Sequence, residues 1–384
     1  METTLLGLAL FTLVAFIFAC LVLWFGNRKI KFLDETSNLP DCIYPKVSIL
    51  IAARNEEKNI AEALQSLLQL DYPDFEILIV NDRSTDGTGE ILDRMAQGNP
   101  RLRPIHLTAL PKGWLGKNHA LFRAAQESTG ELLLFTDADV VMQPAALRNG
   151  VQYLLAQQLD HLTAGPALKM PGRLLNLFSG FFTMAFFMYT QPWKARDGRS
   201  DKFIGVGAFN LIRASAYRAI GTHQAIAMRP DDDMRLGKLV KQRRYKSDFM
   251  HGVRMLHVEW YDSLPAVVNG LEKNIFAGLD YKLTAVILST IATFIFWIWP
   301  FAAMFLTAGL TKIFNIATVG IILMIYGHGA RLGNLKRWYG IGVPAAALFF
   351  IFLLWNSTLK TLLNRGIYWR ETFYSLAELK ANKV

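Results

Sequence analysis

From Thr4 to Gly26 the chain carries no charged residue and, apart from Thr4, Thr12 and Cys20, almost nothing but apolar ones. Hydrocarbon offers a backbone no hydrogen-bond partners, so a segment of this length satisfies itself there only as a helix. One membrane-spanning helix is therefore fixed before anything else is read. A cleaved leader would carry basic residues ahead of its apolar part, whereas here Glu2 precedes it and Arg28, Lys29 and Lys31 follow. Positive charge on the carboxyl side puts the next domain in the cytoplasm. Composition agrees: at 52% hydrophobic over 384 residues, the chain is too apolar for two ordinary soluble domains. The net charge of +10, from 41 Lys and Arg against 31 Asp and Glu, suits an anionic membrane surface or a phosphate-bearing substrate. No Lys/Arg tract interleaved with aromatics appears, so nucleic acid is not expected as a partner. Cys20 and Cys42 supply neither a disulfide framework nor a zinc site.

The next constraint is L-L-L-F-T-D-A-D at Leu132 to Asp139. A short apolar run reads as a buried strand, and no core accepts two unpaired carboxylates, so Asp137 and Asp139 belong at its carboxyl edge. In an open α/β sheet that edge faces the ligand crevice. Two readings stand there: a Mg²⁺ or Mn²⁺ nucleotide site, or a solvated turn. Earlier strands are expected at Val47 to Ala53, Phe75 to Val80 and near Leu102 to Leu107. They alternate with helices from about Lys58 to Leu70, through Ile91, Leu92 and Met95, and through Ala120, Leu121 and Ala124. Ser84 or Thr85 is placed to cap the second of these helices. Alternation of this kind implies a doubly wound parallel sheet whose polar strand ends line one crevice.

Beyond Pro144 a helix through Leu147, Val151 and Leu155 precedes a strand near His161 to Ala164. Leu174 to Trp193 reads either as an element in the membrane interface or as a core helix. Phe203 to Arg213 is glycine-broken and then strand-like, which suggests backbone close to a ligand. Asp231, Asp232 and Asp233 open a helix; acids there complement its dipole, though three exceed what capping requires. Leu264 to Leu279 has an amphipathic pattern. Apolar stretches follow at Leu283 to Leu310, Ile313 to Tyr326 and Ile341 to Leu359, with Trp297, Trp299, Trp338 and Trp355 expected in interface belts. Counting spans puts the basic tail after Arg365 outside, while the charge rule puts it inside; the sequence leaves the two in conflict.

Five motifs in order carry a resemblance: V-S-I-L-I-A-A-R-N-E-E-K-N-I at Val47 to Ile60, D-Y-P-D-F-E-I-L-I-V-N-D-R-S-T-D-G-T at Asp71 to Thr88, G-K-N-H-A-L at Gly116 to Leu121, T-D-A-D at Thr136 to Asp139 and D-D-x-x-L-G at Asp232 to Gly237. Together they resemble family 2 glycosyltransferases. With R-G-I-Y-W-R-E-T-F-Y at Arg365 to Tyr374, the layout is similar to the membrane-bound branch that includes hopanoid-associated, carotenoid and ceramide glycosyltransferases. The fold so implied is α/β: a GT-A (Rossmann-like, mostly parallel) cytoplasmic domain with one N-terminal and about three C-terminal transmembrane helices. Expected divisions are 1–27 (first span), 28–263 (GT-A domain), 264–282 (interfacial helix), 283–363 (transmembrane region) and 364–384 (basic tail).

The resemblance also implies roles. Ala53, Arg54, Asn55 and Glu56 would line the nucleotide, Asp82 would accept from its base, and Lys117 would face the diphosphate or the base. Asp137 would hold the sugar or ribose, with Gly116 and Ala138 also at the donor, and Asp139 would ligate Mg²⁺ or Mn²⁺. Asp233 would be the general base. Asp232 stands where the family usually has Glu, which leaves the assignment open among Asp231, Asp232 and Asp233. His257-Val258-Glu259-Trp260-Tyr261 replaces the Gln/Arg-x-x-Arg-Trp motif of polymer synthases. The expected activity is thus inverting, metal-dependent transfer of one sugar from a nucleotide-sugar, in particular a UDP-sugar, to a lipid at the cytoplasmic face of an inner or plasma membrane. The alternatives are a processive polysaccharide synthase and a non-catalytic membrane scaffold.

Overall fold

The computed structural model describes residues 2–36 and 43–382, so Cys42 and part of the polar linker expected between Lys31 and Pro45 lie outside it. Ten strands build two sheets: β1 Val47–Ala53, β2 Phe75–Asp82, β3 Leu102–Leu107, β4 Leu132–Asp137, β5 Val140–Met142, β6 His161–Gly165, β7 Ala167–Lys169, β8 Asn210–Arg213, β9 Ser247–His251 and β10 Leu256–Glu259. The main sheet has the order β3-β2-β1-β4-β8-β6-β9, and β5, β10 and β7 form the smaller one. Alternate residues of each central strand go to opposite faces. Ile49, Ile51, Ile77, Ile79 and Leu134 pack on one side, and Leu50, Leu78, Val80 and Leu133 on the other. Both faces are covered, which is why these strands read as continuous apolar runs.

The covering helices are α2 Ile60–Leu68, α3 Thr88–Gln97, α4 Gly116–Glu127, α5 Ala146–Ala156, α7 Ala214–Ala219 and α8 Asp232–Gln242, while α1 Glu2–Asn27 precedes the sheet and α6 Gly172–Thr190 lies against its lower side. Helix α3 begins at Gly87 with no side-chain cap. Ser84 Oγ instead accepts from Asn55 N (3.0 Å), and the Asp86 carboxylate takes Thr88 N (3.0 Å). The expected cap at Ser84 or Thr85 is thus corrected, because the loop continues past both before the helix starts.

One strand of the main sheet departs from the parallel expectation, and in the smaller sheet β5 pairs antiparallel with β10. β8 runs antiparallel between β4 and β6, pairing Phe135 with Asn210 and Leu132 with Arg213. The glycine-broken stretch before it crosses the carboxyl end of β4, where Asp137 N donates to Gly207 O (3.0 Å) and Thr136 Oγ1 to Ala208 O (2.8 Å). A chain that enters the sheet from that edge has only the reverse direction left to it.

After the smaller sheet come α9 Leu264–Gly278, α10 Leu283–Thr293, α11 Trp299–Leu306, α12 Gly309–Leu332 and α13 Val343–Leu363, then a hairpin of β11 Gly366–Trp369 and β12 Thr372–Ser375, and α14 Leu376–Ala381. Four helices are long and apolar enough to cross a membrane: Glu2–Asn27, Leu283–Leu306, Gly309–Leu332 and Arg337–Leu363. The second is α10 and α11 joined through a π-helical turn at Phe294–Ile298, just ahead of Pro300, which has no N–H to donate backwards. That turn aims Trp297 inward, with its ring centroid 5.2 Å from that of Phe16 and 5.5 Å from that of Phe181. Trp297 is therefore a core residue and not part of an interface belt; Trp338 is exposed, and Trp355 donates to Thr290 Oγ1 (3.0 Å).

The ends of these helices are informative. The carboxyl end of α1 reaches the sheet domain, with Gly26 against Trp193, and Trp24 lies beside His328 near the carboxyl end of α12. Helix α13 begins against α6, with Gly342 on Leu177, and ends against α9, where Ser357 Oγ donates to Glu272 O and accepts from Phe276 N (3.2 Å). The tail packs against the sheet domain: Asn382 Oδ1 accepts from Met228 N (3.0 Å), and its amide donates to Ala225 O (3.0 Å).

Candidate active site

Strand termini set the site. β1 ends at Ala53 and Arg54, β2 at Asp82 and β4 at Asp137, all at the carboxyl edge of the sheet, and the amino end of α8 brings Asp231, Asp232 and Asp233 to the same place. Ala53, Arg54, Glu56, Asp82, Gly116 and Lys117 line one cavity of about 1520 Å³ together with Asp137, Ala138, Asp139 and the three acids of α8. Asn55 is the exception among the expected residues. With φ at 55° it turns its side chain to the loop after β2, accepting from Thr85 N (2.8 Å), so it shapes the crevice without lining it.

The three consecutive acids have three different surroundings. Asp231 is held by Arg229 (Nε to Oδ1, 2.8 Å) and Arg235 (Nε to Oδ2, 2.7 Å), both buried. Asp232 meets Lys117 Nζ at 3.2 Å, and that ammonium also lies 2.8 Å from Asp137 Oδ1. Asp233 forms no ion pair among the described residues; its oxygens accept from Gly207 N (2.8 Å) and Met234 N (2.7 Å). Burial, reinforced by the charge of Asp232, pushes the Asp233 carboxyl up to about 7. Burial would lower the Lys117 ammonium, but Asp137, Asp232 and Asp233 outweigh it and hold it above its usual range. Burial likewise works to raise Asp137, and Lys117 overrides it to keep that carboxyl low. Asp82 is clamped by Arg83 through both oxygens (2.8 and 3.1 Å), with Arg54 Nη1 at 3.9 Å.

Glycines permit this crowding. A Cβ on Gly207 would collide with Asp137 Oδ2 and one on Gly116 with Asp82 Oδ2. The sequence expected Gly205 and Gly207 to let backbone approach a ligand; in the structure the close neighbours are the site's own acids.

Asp139 is pushed up to about 7 by burial and then by Asp137 and Glu56, and it forms no ion pair among the described residues. Nor do any three His, Cys, Asp or Glu side chains among them converge to hold a metal unaided. One carboxylate in a surplus of negative charge fits a hard divalent cation that completes its shell with phosphate oxygens.

Several lining residues escaped the sequence reading of roles. Trp260 and Tyr261 line the cavity from the segment that departs from the polymer-synthase motif, and burial, then Asp139, pushes the Tyr261 phenol up to about 12. The hairpin closes another wall: Gly116 N donates to Tyr374 Oη (3.3 Å), and Arg370 reaches both Arg54 O and Glu56. Its two-residue turn has φ of 46° at Arg370 and 67° at Glu371, positions where glycine or asparagine is the ordinary choice. Charged side chains there cost backbone strain of about 1–3 kcal/mol each and aim toward Glu56 and Arg54. The tail's resemblance to the membrane-bound branch was the signal that could have found them. Lys273, on the wall formed by α9, gave no signal beyond its place on an amphipathic pattern.

Residues 48–221 match the family model described as Glycosyl transferase family 2. The chain carries a family 2 glycosyltransferase domain. Over 195 residues it is 31% identical to the beta-monoglucosyldiacylglycerol synthase of Synechocystis sp., a match covering 49% of this chain and 38% of that protein. It is 23% identical over 378 residues to the 4,4'-diaponeurosporenoate glycosyltransferase of Staphylococcus aureus, which covers 95% of this chain and 97% of that one. In fold it is similar to the mannosyltransferase PcManGT from Pyrobaculum calidifontis, solved in complex with GDP-Man and Mn²⁺, with a TM-score of 0.55, 19% identity and coverage of 94% and 99%. The glycosyltransferase domain therefore has the GT-A architecture, with a mostly parallel sheet and the acids at its carboxyl edge.

The cavity does not stop at those acids. It continues between apolar helices, past Phe182 and Phe186 of α6, Ala15 and Phe16 of α1 and Ala292 and Phe296 at the α10 end. The acidic crevice of the glycosyltransferase domain and the apolar groove below it are one space.

Proposed function

We propose that this chain transfers a single sugar from a nucleotide-sugar, such as a UDP-sugar, to a lipid acceptor at the cytoplasmic face of the membrane, with inversion. The observation that carries this reading is the continuity of the cavity. A polar donor and an apolar acceptor need compartments of opposite character that meet at one point, and the acids stand where the two join. The names of the two relatives, acting on diacylglycerol and carotenoid lipids, point the same way.

In this reading Arg54, Glu56 and Asp82 take the nucleoside end and Asp137, fixed by Lys117, orients the sugar. Asp139 would hold Mg²⁺ or Mn²⁺, which supplies Lewis-acid neutralisation of the leaving diphosphate. Asp233 removes the acceptor hydroxyl's proton as that oxygen attacks. Its two backbone donors fix the carboxylate's direction, and a pKa near 7 suits a general base at neutral pH. With Asp233 as the base, Asp137 and Asp232 held by Lys117, Asp231 by two arginines and Asp139 assigned to the cation, direct displacement inverts the anomeric centre.

The divisions that accord with this function are 1–27, 28–263, 264–282 and 283–363, with 364–384 acting as part of the site. Crossings by α1, by α10 with α11, and by α12, with α13 lying beneath the domain, keep Arg28, Lys29, Arg331, Lys336, Arg337 and the tail on one side, as the charge rule favours. The test is release of nucleoside diphosphate by the purified chain in lipid, coupled to mass spectrometry of the lipids. A lipid gaining one hexose mass is expected. Nucleotide release with no lipid product, or a product of many sugars, would remove the single-transfer reading.

A further inference from the structure

We propose that Lys273, with Trp369 and Arg370, forms a binding site for a phosphate-class oxyanion at the junction of the acidic crevice and the apolar groove. The proposal deepens the glycosyl-transfer reading and rests on it.

Five cations line the cavity, and four are already engaged: Arg54 lies 3.9 Å from Asp82 and 3.6 Å from Glu371, and Arg235 is held by Asp231 and Asp280. Lys117 lies between Asp137 (2.8 Å) and Asp232 (3.2 Å), and Arg370 is taken by Glu56 and by Arg54 O. Lys273 forms no ion pair among the described residues. Its Nζ sits 3.8 Å from the centroid of the Trp369 ring, a cation–π contact that orients the ammonium without neutralising it. Burial, then Arg370 and Lys117, lower its pKa to about 7. A half-buried ammonium held among like charges is costly unless an anion joins it. It also stands on α9, whose Leu271 and Ile275 line the same cavity. An anion seated there lies between the place where a diphosphate must leave and the place where a lipid head must enter.

A phosphate oxyanion suits this geometry because it offers several oxygens to donors converging from two elements. Two sources carry that chemistry: the diphosphate of the nucleotide and the phosphate of an acidic lipid headgroup. The hairpin turn that supplies Arg370 keeps side chains at two positive-φ positions, so its register, and with it Trp369 under Lys273, is fixed by the same strained turn.

The experiment uses the full chain in phosphatidylcholine nanodiscs with Mg²⁺ and titrates UDP, GDP, UMP and GMP by calorimetry, for wild type, Lys273→Met and Lys273→Arg. Thermal unfolding checks that each variant is folded, and Lys273→Arg, which keeps the charge, is expected to retain most of the affinity. Lys273→Met is expected to weaken the preferred nucleoside diphosphate about ten- to a hundredfold and its monophosphate much less. A second arm adds phosphatidic acid to the nanodiscs and measures its binding. Unchanged diphosphate affinity with weakened phosphatidic acid binding assigns the site to the lipid's phosphate and still supports it. Lys273→Met matching wild type in both arms overturns the proposal and leaves glycosyl transfer standing. Wild type binding neither UDP nor GDP would instead overturn the nucleotide-sugar reading, a failure distinct from equality of the two proteins.

Discussion

Asp231, Asp232 and Asp233 show how little a run of identical residues says about roles. Their spacing was legible, but which one stays unpaired depends on Arg229, Arg235 and Lys117 arriving from elsewhere. Asp233→Asn should lower turnover by about 10²- to 10⁴-fold, the usual contribution of a general base, with nucleotide affinity kept; steady-state rates and calorimetry check both. The base works deprotonated and its pKa is raised to about 7. At saturating divalent cation, activity should therefore rise with pH up to about 7 and level off above it, a limb that Asp233→Asn removes. Asp231→Asn should act on stability instead. It strips one of the two carboxylates held by the buried Arg229 and Arg235, which keep Asp280, and should cost about 1–3 kcal/mol, seen as a lower unfolding midpoint in detergent. The residues that line the acidic crevice were legible because each stands at a strand's end or in a motif. The turn of Asn55 toward Thr85 was not legible, because no sequence pattern carries the sign of its φ of 55°.

β1 and β3 fall where expected and α9 spans Leu264–Gly278, whereas the apolar stretch expected at Ile313 to Tyr326 lies within the longer α12 Gly309–Leu332, because polar residues at both ends continue the helix. Short strands such as β5, β7 and β10 were not legible, since three or four residues give too few alternations to distinguish a strand from a turn. The direction of β8 was hidden for another reason: orientation comes from the edge at which the chain enters the sheet, which is a tertiary property. The hairpin of β11 and β12 was recognisable only as a likeness, because its partners Glu56 and Gly116 lie far back along the sequence. Arg370→Ala should loosen that wall and raise the donor KM about tenfold, the scale of one charge-assisted contact, while the acceptor KM changes less. Equal effects on both would mean that the hairpin shapes the whole cavity.

For the whole molecule, sidedness is the property the sequence left divided. Single cysteines in a Cys20→Ser, Cys42→Ser background test it with an impermeant thiol reagent on sealed cells. A cysteine at position 308, between α11 and α12, should be labelled from outside. Cysteines at 334 and 380 should react only after the membrane is opened. Labelling of position 380 in intact cells would make α13 a crossing after all. The hairpin has one more consequence, which concerns timing. Its residues leave the ribosome after every apolar helix, yet they meet groups at the end of β1 and the start of α4. A half-made chain already holding its acids still lacks one side of the pocket, so catalytic competence waits for insertion into the bilayer to finish.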